Sequence, residues 1–231
     1  MDYASDRKAH FEMMREFRAR YRVKESVEEL TSRFNGFIGS LNRNPSEVTL
    51  ILGREIIRRS FEHVLISLSL QFDEGEYQWF LQVYLDKHHT YLRLYPEAKG
   101  VLRALWGAGL HIGLISDIDQ DFMIDELTRL GIIEFFDALT SSEEAGVWKP
   151  DPHIFNLALS KAECSGPDAI HIGDNLERDI KGAKDMGLTA IWFPNDSDVS
   201  SAVPDYTIHN LSEILDIVRD FGIALDEGMK S

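Results

Sequence analysis

The spacing of apolar residues changes character near Tyr95-Pro96. Before this point, apolar residues recur at the three- and four-residue intervals of amphipathic helices. The pattern predicts four helices, which begin near Ser5, Ser26, Pro45-Ser46 and Glu76. Serine caps the amino end of a helix well, and proline suits its first turn. Four such helices with short links predict an all-helical unit, a bundle or cap, over residues 1–94.

From residue 95 to residue 222, short apolar runs alternate with helical segments. The predicted strands lie at 111–116, 137–141, 169–173, 188–193 and 206–208. This alternation is typical of an α/β fold, in which a parallel sheet has helices on both faces. Residues 223–231 are predicted to form a frayed tail.

Composition limits the classes of partner. The 231-residue chain has a formal net charge of −15, which argues against binding to nucleic acid or to anionic membranes. A phosphorylated substrate would need local positive charge or a metal to overcome this field. The chain has one cysteine, Cys164, so no internal disulfide is possible, and a reducing cytoplasmic location is expected. The polar amino-terminal residues predict no signal peptide.

Polar residues follow three of the predicted strands. Ser116 ends the first, Lys149 comes shortly after the second, and Asp174 follows the third. Because ligands bind at the carboxyl ends of parallel strands, we expect these three side chains to converge at one edge of the sheet.

Each residue has a chemical role and a simpler alternative. Ser116 and Asp117 could donate a hydroxyl and a backbone N–H to a phosphate, or could form an ordinary strand-end turn. Lys149 could neutralise a phosphate, or could be a solvated loop lysine. Asp174 could bind Mg²⁺ through oxygen, with Asp179 reaching back to fix the loop, or these residues could cap a helix.

These residues resemble the motifs of a known family. Ser116, Lys149-Pro150 and Gly173-Asp174 with Asp179 are similar to the second, third and fourth motifs of the haloacid dehalogenase-like hydrolase superfamily. The resemblance covers about residues 95–193, and the helical front half resembles the cap of subfamily I. It implies a Rossmann-like core over residues 95–222 and an all-helical cap. It also implies Mg²⁺-dependent hydrolysis of a small phosphorylated metabolite through an aspartyl-phosphate.

The first motif of the family, Asp-x-Asp-x-Thr or Val at the end of the first strand, has no match in this sequence. We do not assign the nucleophile to Asp117-Ile118-Asp119, which follows Ser116, or to Asp2 or Asp6, which no predicted strand precedes. By resemblance, the missing first strand would lie mid-sheet, between the strands that end at Ser116 and Gly173. Its loss would leave unpaired backbone groups and an apolar gap. We therefore expect either that an upstream segment is lost, or that the sheet closes up.

Three functions remain open at this point. The first is a phosphatase, which we expect to be inactive or truncated as the sequence stands. The second is a non-catalytic relative that binds phosphate and metal in a regulatory or binding role. The third is a carbon–halogen hydrolase of the 2-haloacid dehalogenase type, a weaker alternative because of Asp117 and the metal loop at Asp174.

Overall fold

In a computed structural model, which describes residues 3–41, 50–194 and 200–225, the chain divides into two units between Arg93 and Leu94. The first unit is helical, and the second contains all the strands of the described residues. That these units act as a cap and a catalytic core stays a prediction.

In its described residues, the helical unit contains four helices: α1 (Tyr3–Tyr21), α2 (Val27–Leu41), α3 (Gly53–Ser67) and α4 (Glu74–Tyr91). The predicted start of the second helix is confirmed. Ser26 Oγ accepts a hydrogen bond from the Glu29 amide at 3.2 Å, and Glu29 Oε2 accepts one from the Ser26 amide at 2.9 Å. This reciprocal arrangement is a capping box, which satisfies two amides that the helix leaves unpaired.

The starts of the other helices differ from the prediction. Helix α1 begins at Tyr3, so Ser5 lies inside it instead of capping it. Pro45-Ser46 lies outside the described residues, and α3 begins only at Gly53, so residues 50–52 are not helical. Helix α4 begins before Glu76, because the Asp73 side chain accepts from the Glu76 amide at 3.1 Å and supplies the cap.

The core of the helical unit is aromatic. The stacked pair Phe61–Phe80 has ring centroids 4.4 Å apart, and both rings are fully buried. Each buried ring removes a large apolar area from water, which is the main stabilising contribution in such a bundle. The fully buried phenylalanines of this unit are Phe17, Phe34, Phe61 and Phe80.

A pair of histidines packs beside these rings. The His10 and His88 rings lie 5.0 Å apart between centroids, and His10 Nδ1 contacts Asn35 Oδ1 at 2.7 Å. Burial, with the nearby His88, lowers the pKa of His10 from 6.5 to about 4. The folded unit therefore holds His10 neutral at physiological pH.

The second unit contains five strands in the described residues: β1 (Gly113–Ser116), β2 (Ala138–Ser141), β3 (Ile170–Gly173), β4 (Thr189–Trp192) and β5 (Tyr206–Thr207). Its helices are α5 (Ala98–Gly107), α6 (Gln120–Leu130), α7 (Ser142–Ala145), α8 (Pro152–Lys161), α9 (Gly182–Asp185) and α10 (Glu213–Asp220). The predicted strands and helices all occur here. The structure adds the short helix α7 and a π-helical turn, Leu176–Lys181, in place of the first turns of a regular helix. The predicted frayed tail covers residues 223–231, of which 226–231 lie outside the described residues.

The three strand pairings found in the described residues are all parallel, as predicted, but they form two sheets. Strand β1 pairs with β2 in one sheet, and β3, β4 and β5 follow one another in the other. In the described residues, no backbone pairing joins β1 to β3. The expectation that the sheet closes up is therefore not met in this part of the chain.

Helices cover the strands and complete the α/β fold. Ile154 and Phe155 of α8 pack with Ala183 of α9 and Ala190 of β4 in one fully buried cluster. On α5, Val101 packs with Ile191 of β4 in a second cluster. The fold class is thus α/β with parallel strands and an amino-terminal helical unit, as predicted. Within the described residues, no helix is both long and apolar enough to cross a membrane.

Acid is expected to destabilise the helical unit through His10. The unfolded chain binds a proton at this residue that the folded chain does not, so the free energy of unfolding should fall as pH drops from 6.5 to about 4. The loss should reach about 3 kcal/mol. Urea unfolding at several pH values measures it. His10→Gln should flatten this dependence, whereas His153→Gln, at an exposed histidine of α8, should leave it unchanged. If the free energy of unfolding changed with pH as steeply in His10→Gln as in the parent chain, the dependence could not be assigned to His10.

Candidate functional site

The predicted site residues lie at or near the carboxyl ends of two strands. Ser116 is the last residue of β1 and Asp117 follows it, whereas Asp174 directly follows β3. Lys149 lies in the loop between α7 and α8, and Asp179 lies in the π-helical turn after β3. The structure brings Lys149 into contact with Asp117 and Asp179. That Ser116 and Asp174 act together with them stays a prediction.

Lys149 bridges the two strand ends. Its Nζ donates to Asp179 Oδ1 at 2.6 Å and lies 3.5 Å from the carbonyl oxygen of Ile115 in β1. Its backbone N–H donates to Asp117 Oδ1 at 2.9 Å. Side-chain exposure is 13% for Lys149 and 4% for Asp179, so the ion pair is almost fully withdrawn from water. Lys149 is therefore not the solvated loop lysine of the alternative interpretation.

Asp117 is held by protein donors on both carboxylate oxygens. Besides the Lys149 amide on Oδ1, the Arg178 guanidinium donates to Oδ2 at 3.2 Å. Arg178 lies in the π-helical turn, so this second ion pair also ties the end of β1 to the loop after β3. The side chain of Asp117 thus has a structural partner at each oxygen. The predicted phosphate contact through its backbone N–H stays a prediction.

Asp179 is a buried carboxylate that stays ionised. Burial raises its pKa, but the hydrogen bond from His171 and the charge of Lys149 outweigh burial and hold the pKa well below its usual range. His171 Nε2 lies 3.4 Å from Oδ1, and the Asn175 amide donates to Oδ2 at 3.0 Å. The negative charge of Asp179 therefore orders the loop that begins at Asp174.

Gly173 is required by this arrangement. A Cβ atom at position 173 would lie 2.2 Å from the Cβ of Asp179 and 2.6 Å from its Oδ2. No side chain fits there without moving Asp179. The carbonyl of the next residue, Asp174, accepts a hydrogen bond from Trp192 Nε1 of β4 at 3.0 Å. The backbone on either side of the Gly173-Asp174 peptide is thus anchored, which fixes where the Asp174 side chain starts.

The donor set is compatible with a magnesium ion held mainly by non-protein ligands. In the parts of the chain that the structure describes, no group of three or more His, Cys, Asp or Glu side chains converges as a metal cage. Mg²⁺ keeps several waters and binds proteins through one or two carboxylates together with substrate phosphate oxygens. The half-buried Asp174 carboxylate meets this modest requirement.

Two participants in the network were not predicted from the sequence. Arg178 gave only a weak signal, since an arginine in a helix start is usually a solvated charge. His171 could have been noticed, because it is a titratable residue inside an otherwise apolar strand, Ile170–Gly173. The partner of each, Asp117 or Asp179, became visible only with the tertiary structure.

The sequence is similar to a hydrolase family and to several phosphatases. Residues 44–193 match the family model described as haloacid dehalogenase-like hydrolase. A glyceraldehyde 3-phosphate phosphatase of Pyrococcus furiosus is 31% identical over 69% of this chain and 68% of its own length. The corresponding protein of Methanocaldococcus jannaschii is 34% identical over 56% of this chain, and the chain spans 58% of that relative. A ribulose-1,5-bisphosphate 5-phosphatase of Halopiger xanaduensis is 30% identical, over 62% of each chain.

Solved structures share the fold. The putative HAD-hydrolase YfnB of Bacillus subtilis, whose structure is bound to magnesium, has a TM-score of 0.74 at 21% identity and covers 91% of both chains. The L-2-haloacid dehalogenase of Xanthobacter autotrophicus has a TM-score of 0.70 at 19% identity, over 93% of this chain and 94% of its own. At these identities the comparison shows the fold alone.

We expect Gly173→Ala to destabilise the second unit by more than about 2 kcal/mol, because the new methyl group would displace Asp179 from its buried partners. Gly100→Ala is the matched control, since a Cβ there has no heavy atom within 4 Å and alanine favours the helix α5. It should be neutral or slightly stabilising. Chemical denaturation of both variants measures the difference, and equal stabilities would contradict the proposed crowding.

Proposed function

Because this chain belongs to the haloacid dehalogenase-like hydrolase family, we propose that its second unit contains a Mg²⁺-dependent site for a small phosphorylated metabolite, of the phosphatase type. The observation that carries the proposal is the position of Lys149. It joins the end of β1 to the loop after β3 through Asp117 and Asp179. A cation fixed at the carboxyl ends of parallel strands is well suited to receive a phosphate.

The roles of the other residues follow from this position. Ser116 would donate its hydroxyl, and the Asp117 backbone its N–H, to phosphate oxygens. Lys149 would provide positive charge in a strongly acidic protein, where the field of the whole chain disfavours anions. Asp179, which stays ionised, would hold the Lys149 ammonium in place while it faces the substrate.

Asp174 would hold the metal, which when bound supplies charge neutralisation at the phosphate oxygens. The hydrogen bond from Trp192 to the Asp174 carbonyl supports a fixed starting point for this side chain. Binding by a single protein carboxylate leaves the remaining positions of the ion to water and to the substrate. Metal affinity and phosphate affinity should therefore depend on each other.

The relatives support the substrate class. Three of them are named as phosphatases of glyceraldehyde 3-phosphate, ribulose 1,5-bisphosphate and phosphoserine. All three compounds are small phosphorylated metabolites. The chain carries one cysteine, which suits a reducing cytoplasm, and its acidic balance suits neither nucleic acid nor anionic membranes as partner.

Turnover through an aspartyl-phosphate also needs an attacking carboxylate. Among the described strand ends, Asp117 has both oxygens bound and Asp174 is assigned to the metal. We therefore propose that the 231-residue chain by itself binds phosphate with Mg²⁺ but hydrolyses phosphate esters slowly.

Binding can be measured by titrating the chain with inorganic phosphate in the presence and absence of MgCl₂. Lys149→Met should weaken phosphate binding at least about tenfold, since it removes a charge-assisted contact. Asp174→Asn should abolish the Mg²⁺ dependence while leaving the fold intact. Lys99→Met, at an exposed lysine of α5, is the matched control for net charge and should bind like the parent chain.

Two results would contradict the proposal. One is equal weakening by Lys149→Met and Lys99→Met, which would indicate only a general charge effect. The other is Mg²⁺-dependent phosphate binding that survives Asp174→Asn. Rapid hydrolysis of p-nitrophenyl phosphate by the parent chain, lost in Asp174→Asn, would contradict the expectation of slow turnover and leave the site assignment standing.

A further inference from the structure

Two histidines of the helical unit lie side by side between α1 and α4. The ring centroids of His10 on α1 and His88 on α4 are 5.0 Å apart, with the ring planes at 62°. The His88 ring stacks on Tyr84 with centroids 4.0 Å apart, and the His10 ring packs edge-on against Phe34 at 5.3 Å. These aromatic neighbours fix the planes of both imidazoles.

Both rings are held at the same nitrogen, Nδ1. His88 Nδ1 lies 3.1 Å from Asp6 Oδ1, and His10 Nδ1 lies 2.7 Å from Asn35 Oδ1. Both partner atoms are oxygens that only accept hydrogen bonds, so each Nδ1 carries a proton and donates it. In the neutral form of each ring, the free lone pair is then on Nε2.

The two Nε2 atoms are buried, and neither has a hydrogen-bond partner among the described residues. The side chain of His88 is only 10% exposed. Buried polar atoms in folded proteins nearly always bind another protein group, an ordered water or an ion, because an unpaired one costs free energy. A ligand that accepts a lone pair from each ring would satisfy both atoms at once.

Histidines that bind metals are held in the same way. A metal-binding histidine typically gives one ring nitrogen to the metal and donates the other N–H to an oxygen, which fixes the tautomer and the ring orientation. Two imidazoles on one tetrahedral zinc ion have ring centres about 5 Å apart, because each Zn–N bond is about 2.0–2.1 Å long. The 5.0 Å separation of His10 and His88 fits this value.

Charge and access also favour a cation at this place. Burial and the nearby His88 lower the pKa of His10 to about 4, so near neutral pH no proton competes with a metal for its Nε2. Asp6 places a negative charge beside His88, and its side chain is 40% exposed. The cluster therefore lies near the surface, where an ion can enter from solution.

We propose that His10 and His88 together bind a divalent transition metal ion of the zinc class through their Nε2 atoms. Asp6 and Asn35 would act as positioning residues. In the described residues no group of three or more His, Cys, Asp or Glu side chains forms a metal cage, so water would take the remaining positions of the ion.

This site differs in chemistry from the proposed magnesium site. Imidazole nitrogen suits zinc, copper and nickel, whereas Mg²⁺ prefers oxygen ligands. The bound ion would connect α1 with α4 inside the helical unit. The inference therefore does not depend on the proposed phosphatase function.

Nuclear magnetic resonance of the untagged 231-residue chain tests the site. Long-range ¹H–¹⁵N spectra distinguish the two ring nitrogens of each histidine, and they are recorded with and without ZnCl₂ in excess MgCl₂, which occupies sites that prefer oxygen. We expect zinc to shift the Nε2 resonances of His10 and His88 together. The exposed His63 and His153 should change little. Zinc-dependent shifts at Nδ1 instead of Nε2, or none at His10 and His88, would overturn the proposal.

Calorimetric titration of variants with ZnCl₂ in the same buffer measures each contribution. His10→Gln and His88→Gln should each weaken zinc binding at least about tenfold, since only one imidazole remains. Asp6→Asn keeps both ligands but should still weaken binding about tenfold, and Asp6→Glu should recover part of this loss. His63→Gln is the matched control, at an exposed histidine of α3 whose ring stacks on Phe37, and should bind zinc like the parent chain.

Two outcomes of the titrations would overturn the proposal. Equal zinc affinity in the parent chain and in His88→Gln would show that zinc binds elsewhere. Equal weakening in His63→Gln and His88→Gln would indicate adventitious binding to histidines at the surface. Circular dichroism separates the loss of a ligand from the loss of the fold, and where a variant does not fold, the Nε2 shifts of the parent chain decide.

Discussion

The buried ion pair between Lys149 and Asp179 is the interaction on which the second unit depends. It connects two strand ends that share no backbone hydrogen bonds in the described residues. Two charges withdrawn from water gain little net stability when paired, but removal of either leaves an uncompensated buried charge that costs about 3 kcal/mol or more. The surrounding donors, from His171 and the Asn175 amide, complete the solvation that water would provide. This network therefore fixes the relative positions of the two strand ends more than it adds to the free energy of unfolding.

The same network explains why local sequence features occur where they do. Gly173 is small because Asp179 occupies the space a side chain would need. The turn after β3 is π-helical at Leu176–Lys181, a wider helix that is often found at functional sites. Within it, Arg178 and Asp179 reach different partners, Asp117 and Lys149 respectively. A loop held at so many points fixes the backbone from which the Asp174 side chain extends, as its proposed role as a metal ligand would require.

A split sheet imposes a second constraint on this protein. Edge strands with unpaired backbone groups usually invite association, and proteins normally cover or charge them. Here apolar side chains of α5 and α8 pack against strands of both sheets. These clusters keep the two sheets adjacent, although in the described residues no backbone hydrogen bond joins β1 to β3. Lys149 contacts Ile115 of β1 on one side and Asp179, which touches the end of β3 at Gly173, on the other. The side chain of Lys149 thus connects the ends of strands that belong to different sheets.

The sequence by itself determined the type and order of most elements, because apolar spacing and capping residues act locally. Ser26, Pro152 and Gly131 each begin or end a helix through contacts within a few residues. It also indicated Lys149 and Asp174 as candidate site residues, because the alternation of apolar runs with helical segments locates the ends of the strands. It placed Ser5 wrongly as a cap, because the preceding residues extend the helix, and it gave no sign of the π-helical turn. Only the tertiary structure decided that Lys149 pairs with Asp179, that Arg178 pairs with Asp117, and that the strands form two sheets. These contacts join residues some 30 to 60 positions apart, and their energy depends on burial, which no local pattern encodes.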